Sequence, residues 1–226
     1  MRAQFTVAID GPVAAGKTTV GRHLASRITA LFFDTGMLYR AVAHAVLNHQ
    51  IPPDAEDEVA RIAESISIDL QQSGEDARVI VDGCDITDEL RSPEIDRVLP
   101  SISANPDVRR HLLEVQRDIA RGRRSVVVGR DIGTVVLPDA DLKIYLDAEP
   151  DIRATRRYDE LRERGVEISW KTVRRDLVAR DGRDTSREHA PLTKAADAVT
   201  VDASNRSVSE VIDAIVELVV ERGGLN

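Results

Sequence analysis

Several features are scarce or missing in this chain of 226 residues. It has one cysteine, Cys84, which cannot form a disulfide within the chain, so nothing points to an oxidising compartment. No apolar run approaches the roughly 18 residues that a membrane-spanning helix needs. The sequence enters strand-like residues directly after position 3, without the pattern of a signal peptide, and we therefore expect a cytoplasmic protein.

Positive charge is also in the minority. Lys and Arg together number 31 and Asp and Glu 39, which gives a formal net charge of −8 and argues against nucleic acid or an anionic membrane as a partner. Lysine is especially scarce, with 4 residues beside 27 arginines. Arg is suited to bidentate phosphate recognition, whereas Lys acts as a point charge. A composition bias is the alternative explanation until the arginines are placed.

Short apolar segments rich in β-branched residues alternate with segments of helical periodicity. This alternation predicts an α/β fold, in which helices cover both faces of a parallel sheet and ligands bind at the carboxyl ends of its strands. We predict strands of this sheet at 5–9, 31–33, 125–128, 142–146 and 197–202. The predicted helices are 18–28, 37–47, 108–121, two stretches within 151–180 and 209–222.

The pattern changes between residues 62 and 105. Segments 65–70 and 78–82 alternate as half-buried strands do, with a turn at 73–76, which is typical of an antiparallel meander. We therefore expect a small inserted subdomain at 62–105, between the parts 1–61 and 106–226 of one core.

A complete G-x-x-x-x-G-K-[ST] motif follows the first predicted strand and precedes the first predicted helix. The backbone amides of such a loop wrap a phosphate, and the helix N-terminus adds partial positive charge. In this motif Lys17 reaches the β- and γ-phosphates and the Thr18 hydroxyl ligates Mg²⁺. The sequence thus predicts a nucleoside triphosphate site formed by Gly11, Pro12, Val13, Ala14, Ala15, Gly16, Lys17, Thr18 and Thr19.

The motif alone does not select a reaction, because GTPases, motor ATPases and small-molecule kinases share it. The guanine-reading N-K-x-D of GTPases is absent from the sequence, and no acid that ends a strand is an obvious Walker B residue. Asp34, directly after the second strand, has two interpretations, a ligand contact and a cap of the following helix.

Further motifs rich in Asp and Arg resemble those of the bacterial cytidylate kinase family. They are D-[ST]-G-x-x-Y-R at 34–40, G-R-D-x-G-T-x-V-x-P-D-A at 129–140 and R-D-x-x-D-x-x-R-x-x-x-P-L at 180–192. The resemblance runs from about Val7 to Val220. It implies transfer of the γ-phosphoryl group of ATP to CMP or dCMP with Mg²⁺, by a monomer. The implied fold is a three-layer P-loop fold with a five-stranded parallel sheet, a nucleoside-monophosphate-binding insert at 62–105 and a helical lid at about 151–188.

The resemblance and the chemistry of the base together suggest the acceptor residues. Cytosine offers an amino donor at N4 and acceptors at N3 and O2, so an Asp beside an Arg complements that edge, and we assign this role to Asp131 with Arg109. Arg40, Arg130 and Arg187 are the expected clamps on the acceptor phosphate. The resemblance further implies ribose contacts from Asp184 with Arg180 alongside, and hydroxyls near the acceptor from Thr35 and Tyr39.

Catalysis of phosphoryl transfer depends on positioning and charge compensation. We expect the catalytic residues to be Lys17, Arg130, Asp131, Arg187 and Arg157, although Arg157 has a surface ion pair as its alternative role. One departure from the family concerns the base site, where Pro100 replaces a common Ser and Ser101 is the nearest hydroxyl. The expected preference for CMP over UMP therefore lacks one residue of the family pattern, whereas the expected reaction does not depend on it. The alternatives are a kinase for another nucleoside monophosphate and a nucleotide-binding regulator without catalysis.

Overall fold

The computed structural model describes residues 4–73, 76–187 and 190–225. Its main sheet has five parallel strands in the order β2-β6-β1-β7-β8, which confirms the predicted fold class. These strands are β1 (Phe5–Asp10), β2 (Leu31–Asp34), β6 (Arg124–Val128), β7 (Leu142–Asp147) and β8 (Val199–Asp202). The three strands between β2 and β6 form a separate antiparallel sheet, β3 (Ile68–Ser73), β4 (Asp76–Val81) and β5 (Cys84–Asp85).

Eight helices are present in the described ranges. They are α1 (Lys17–Arg27), α2 (Gly36–Asn48), α3 (Glu56–Ser65), α4 (Pro93–Ala104), α5 (Pro106–Ala120), α6 (Pro150–Glu163), α7 (Trp170–Ser186) and α8 (Val208–Glu221). Helices α1 and α8 share one apolar cluster with the sheet, and α2 to α5 share the cluster on its other face. Helices α6 and α7 pack against each other. No helix in these ranges combines the length and apolarity that crossing a membrane would require.

The central strands are apolar on both sides because both faces of the sheet are covered. In β1 the side chains of Phe5, Val7 and Ile9 join the cluster of α1 and α8, whereas Ala8 joins the opposite cluster. All four residues are fully buried. A continuous apolar run is the expected pattern of a parallel strand buried on both faces.

Parallel pairing places all the carboxyl ends of the sheet strands at one edge. Strand β1 pairs with β6 and β7, and β2 pairs with β6, all in parallel register. The loop after β1, the start of α2 and the segment after β6 therefore meet at this edge. It is the place where ligands of open α/β sheets bind.

The inserted segment differs from the predicted meander, because much of it is helical. Only β3 to β5 form the antiparallel sheet, and residues 93–104 form α4. Ser92 caps that helix by accepting from the Ile95 N–H, and Pro93 occupies its first turn. This Ser-Pro pair is a helix-start signal that the strand pattern masked. Of the turn predicted at 73–76, residues 74 and 75 lie outside the described residues, as does residue 188 at the end of the predicted lid.

Candidate active site

The loop of the phosphate motif joins β1 to α1 at the carboxyl edge of the sheet. Gly11 has no room for a side chain, since a Cβ there would lie 2.0 Å from the carbonyl oxygen of Leu146 in β7. Gly16 has a φ of 98° and begins α1 from the left-handed region, which favours glycine. The predicted ATP-binding residues 11–19 thus occupy this loop and the first turn of α1.

The Lys17 ammonium group lies inside this loop. It donates to the carbonyl oxygens of Gly11 and Pro12, each at 2.8 Å, and the residue is 7% exposed. Burial, reinforced by the neighbouring positive charge of Arg130, holds the pKa of Lys17 well below its ordinary value. A cation that is desolvated and close to a second cation favours the arrival of an anion.

Asp34 at the end of β2 contacts the start of the following helix, as one of the two interpretations expected, and also contacts the phosphate loop. Its Oδ1 accepts from the Gly36 N–H at 2.9 Å at the start of α2, and its Oδ2 accepts from the Thr18 hydroxyl at 2.8 Å. Asp34 is therefore an acid that ends a strand beside the phosphate loop, the kind of residue for which the sequence showed no obvious Walker B candidate. Its position directly at the end of a strand next to the phosphate loop is the signal that could have identified it.

A buried carboxylate connects β1 to the segment after β6. Asp10 is 4% exposed and accepts from the N–H groups of Ile132 and Gly133 at 2.8 and 2.7 Å. Those two residues begin a π-helical turn at Ile132–Val136, a rare geometry that is frequent at functional sites. Burial raises the pKa of Asp10 to about 6, against the opposing effect of the two N–H donors. Sequence reasoning gave Asp10 no role.

Arg109 and Asp131 form a buried ion pair, as the sequence predicted them to be neighbours. Arg109 Nη2 lies 2.5 Å from Asp131 Oδ2, and the two side chains are only 10% and 9% exposed. The Arg109 guanidinium also donates to the Ser103 carbonyl at 3.1 Å and lies 5.4 Å from the centroid of the Tyr39 ring. Burial raises the pKa of Tyr39. The Arg109 side chain is thus held by contacts with Asp131, Ser103 and Tyr39.

The pair forms one wall of a cavity of about 340 Å³. Apolar side chains of α5 and of the π-helical turn supply most of its other walls. Its lining residues are Tyr39, Pro106, Arg109, Arg110, Leu113, Gln116, Asp131, Val135, Val136 and Ala190. A cavity of this size with apolar walls and a few polar groups is typical of a site for a small-molecule ligand.

Asp184 of α7 holds two of the predicted phosphate clamps. Its Oδ2 accepts from Arg130 Nε at 2.9 Å and its Oδ1 accepts from Arg187 Nη2 at 2.5 Å. Burial would raise the pKa of Asp184, but the charges of Arg130 and Arg187 outweigh it and hold that pKa below its ordinary value. Arg130 Nη1 also donates to the Gly11 carbonyl at 3.1 Å, so this cluster touches the phosphate loop.

Two further arginines complete a positive cluster. Arg40 donates to the Leu90 carbonyl at 2.8 Å and to Asp96 at 2.6 Å. Burial and the charge of Arg130 lower the pKa of Arg180, which also feels the charges of Arg40, Asp96 and Asp184. The four arginines 40, 130, 180 and 187 thus exceed the aspartates 96 and 184 by two positive charges, which matches a phosphate dianion.

Other predicted site residues have different contacts. Thr35 is 4% exposed and donates its hydroxyl to the Val128 carbonyl at 3.1 Å, which ties the start of α2 to β6. Arg157 pairs with Glu160 at 2.7 Å on the exposed face of α6. Pro100 lies within α4, and Ser101 beside it is exposed. Helix α4 contacts Arg109 through the backbone carbonyl of Ser103.

A glycine-rich phosphate loop after the central strand of a parallel sheet defines the P-loop class of nucleotide-binding proteins. The model of the cytidylate kinase family matches residues 7–221, and the chain belongs to that family. It is similar to the cytidylate kinase of Desulfitobacterium hafniense (strain Y51), with 43% identity over 218 residues, which are 96% of this chain and 94% of that protein.

A second relative agrees with this placement. The cytidylate kinase of Halalkalibacterium halodurans is 39% identical over 219 residues, which cover 97% of this chain and 99% of that protein. Among solved structures, an uncharacterised protein from Eubacterium ventriosum has a TM-score of 0.54 at 13% identity, and the match covers 96% of this chain and 99% of that one. This last likeness concerns the fold alone.

Proposed function

We propose that this chain transfers the γ-phosphoryl group of ATP to CMP or dCMP, giving ADP and CDP or dCDP. One observation carries the choice of acceptor: the Arg109–Asp131 pair forms the polar wall of a cavity at the same sheet edge as the phosphate loop. The proposal agrees with the activity that the names of its relatives indicate.

The donor site is residues 11–19. Backbone amides and the N-terminus of α1 hold the triphosphate, and Lys17 turns from the loop carbonyls to the β- and γ-phosphates. The hydroxyl of Thr18 and the carboxylate of Asp34 are hard oxygen ligands of the kind that Mg²⁺ accepts. The described residues hold no group of three or more metal-ligating side chains, which fits an ion held by few protein oxygens and by phosphates. Bound there, the ion would neutralise charge that develops on the phosphates.

The acceptor site uses side chains from several segments. In the base pocket the Asp131 carboxylate accepts from the N4 amino group of cytosine, and the Arg109 guanidinium donates to the acceptors on the same edge. Tyr39 supplies an aromatic wall. The acceptor phosphate binds among Arg40, Arg130 and Arg187, whereas Asp184, with Arg180 alongside, serves the ribose side.

Arg130 is central to the transfer because it contacts both sites. Its guanidinium donates to the donor loop at Gly11 and to Asp184 on the acceptor side. A loose transition state is stabilised by in-line positioning and by positive charge near the transferred group, which Lys17, Arg130 and Arg187 provide. We assign water exclusion to the lid at 151–188 and keep Arg157 as a candidate phosphate contact of that lid.

The division into a core, 1–61 and 106–226, and an acceptor-binding insert, 62–105, is part of this proposal. So are a monomeric state and a cytoplasmic location, the latter supported by the exposed thiol of Cys84. The surplus positive charge of the arginine cluster is matched to one phosphate monoester, so we propose nucleotides and not nucleic acids as ligands.

The test is an assay of ADP formation from ATP and Mg²⁺ with CMP, dCMP, UMP or AMP as the acceptor. We expect turnover with CMP and dCMP to exceed that with UMP and AMP. Faster turnover with AMP than with CMP would overturn the assignment of the base pocket. A protein that binds ATP but shows no turnover with any acceptor would be a regulator instead.

A further inference from the structure

Two side chains of the predicted lid bind both backbone polar groups of one residue in the phosphate loop. Asp181 of α7 accepts from the Val13 N–H at 3.3 Å, and Arg153 of α6 donates to the Val13 carbonyl at 3.1 Å. The two side chains also bind each other, with Arg153 Nη1 2.5 Å from Asp181 Oδ2. The N–H and the C=O of the same residue are thus occupied at once. We refer to Arg153 and Asp181 as the Val13 clasp.

The clasp is anchored on both of its helices. Arg153 lies in the first turn of α6, and its Nε donates to the Ala148 carbonyl at 2.8 Å, just after β7. Its side chain is 7% exposed and that of Asp181 is 20% exposed. A buried charge pair with these additional hydrogen bonds has little freedom to rearrange. Arg153 is therefore committed to structure and is not available to the transferred phosphoryl group.

The residue after Val13 needs such support. Ala14 has a φ of 58°, in the left-handed region that is sterically costly for any residue with a Cβ. A backbone in this conformation persists when its surroundings fix it from several directions. The clasp holds the backbone directly before Ala14, within the loop that we propose binds the triphosphate.

Helix α7, which carries Asp181, also carries Asp184 of the proposed acceptor site. Asp181 and Asp184 are three residues apart on α7 and so are neighbours on one face of the helix. Asp184 holds Arg130, which reaches Gly11 of the loop. Helix α7 therefore meets the phosphate loop at two points, at Val13 directly and at Gly11 through Arg130.

We infer that Arg153 and Asp181 are a positioning pair for phosphoryl transfer: by clasping Val13 they keep the phosphate loop in its triphosphate-binding conformation and in register with α7. The inference rests on the proposed donor site at residues 11–19. It gives the pair a role in ATP binding, which a helix-to-helix contact would not have.

Direct binding measurements test this role. The Kd of ATP is measured calorimetrically without acceptor, and the Kd of CMP without donor, for the wild type and for D181A. We expect D181A to weaken ATP binding by about tenfold or more, because a misplaced loop loses several amide contacts at once. The Kd of CMP should change less than about threefold, since in the described residues the Asp181 side chain binds Val13 and Arg153, neither of which lines the base pocket. The control is D176A, an equal change of charge at an exposed position of the same helix.

A second set of variants separates the clasp from general damage to the lid. R153A should weaken ATP binding as D181A does, and the double variant should be no worse than the more affected single variant, because both act through Val13. D181N is close in shape and tests the pair even if D181A is unstable. The Asn amide oxygen can still accept from the Val13 N–H, but its NH2 group then faces Arg153 and cannot accept from it. We therefore expect D181N to weaken ATP binding, by less than D181A does.

The possible outcomes are distinct. Wild-type ATP affinity in D181A or D181N, an equal loss of ATP and CMP affinity, or fully additive losses in the double variant would each overturn the inference. A wild-type protein that binds no ATP, or makes no CDP from ATP and CMP, would instead overturn the proposed function.

Discussion

The two halves of the active site are built in different ways. The donor half is one continuous segment, residues 11–19, which binds through backbone amides and one ammonium group. The acceptor half is built from side chains that come from α2, α5, the segment after β6 and α7, and Arg–Asp pairs hold them in place. A backbone site depends on conformation, and a side-chain site depends on the identity of each residue. The effects of substitutions should differ accordingly, in size and in the substrate affected.

The largest effect is expected from removing the charge of the donor half. K17A should lower kcat/KM by about 10³-fold, because the loop loses its only side-chain cation at the transferring phosphates. Because Lys17 belongs to neither apolar cluster of the core, the variant should remain folded. Steady-state kinetics and thermal unfolding measure both. K171A, at an exposed position of α7, is the control, and near-normal turnover of K17A would contradict the donor assignment.

A loss confined to the acceptor half should follow from R187A. We expect kcat/KM for CMP to fall by about 10²-fold, the scale of two lost charge-assisted hydrogen bonds, with an unchanged Kd for ATP. R183A, an exposed Arg to Ala change on the same helix, should behave as the wild type. If R187A weakened ATP and CMP equally, the two halves would not be separable in this way.

Base selection should be the next most sensitive property. In D131N the ratio of kcat/KM for CMP to that for UMP should fall by an amount equivalent to about 1–3 kcal/mol, because the acceptor for the N4 amino group is lost. D118N, an equal change at an exposed position of α5, should leave the ratio as it is. An unaltered ratio in D131N would remove Asp131 from base recognition.

The smallest expected effect concerns Asp10, which joins the two halves without facing a substrate. Burial raises its pKa from 3.8 to about 6 in the folded protein, so the charged carboxylate costs more free energy there than in the unfolded chain. The stability of the wild type relative to D10N should thus decrease as the pH rises from 4 to 6, by about 2 kcal/mol, and stay level above. Urea unfolding of both proteins across this range measures it. If the unfolding free energies of the wild type and D10N changed with pH in parallel, Asp10 would not have a raised pKa in the folded protein.

The same contrast explains how much the sequence could predict. The donor loop is local, so nine consecutive residues and the flanking strand and helix were sufficient to identify it. The parallel sheet was predicted correctly because its central strands β1 and β6 are apolar on both faces and alternate with helical segments along the chain. The α4 helix was missed, since its start signal, Ser92-Pro93, lay within a segment with a strand-like pattern.

Contacts between distant residues could not be predicted in the same way. Asp10 reaches a turn 122 residues further along the chain, and Arg153 meets Asp181 across 28 residues. Asp10 has no local pattern that distinguishes it from a turn acid, and the motif that contains Asp181 does not indicate its partners. The family motifs brought Asp131, Asp184 and Arg187 to attention, whereas the partners that hold them became apparent only from the packing of the elements.

The position of β1 has a consequence for synthesis of the protein. This strand, which ends at the phosphate loop, lies between β6 and β7, and its partners begin at Arg124 and Leu142. A nascent chain emerges in sequence order, so Phe5–Asp10 remains apolar and unpaired until β6 and β7 have been synthesised. The strand of the sheet that is made first is thus among the last to be paired, and a ribosome-bound chain that stops before β6 should not retain nucleotide.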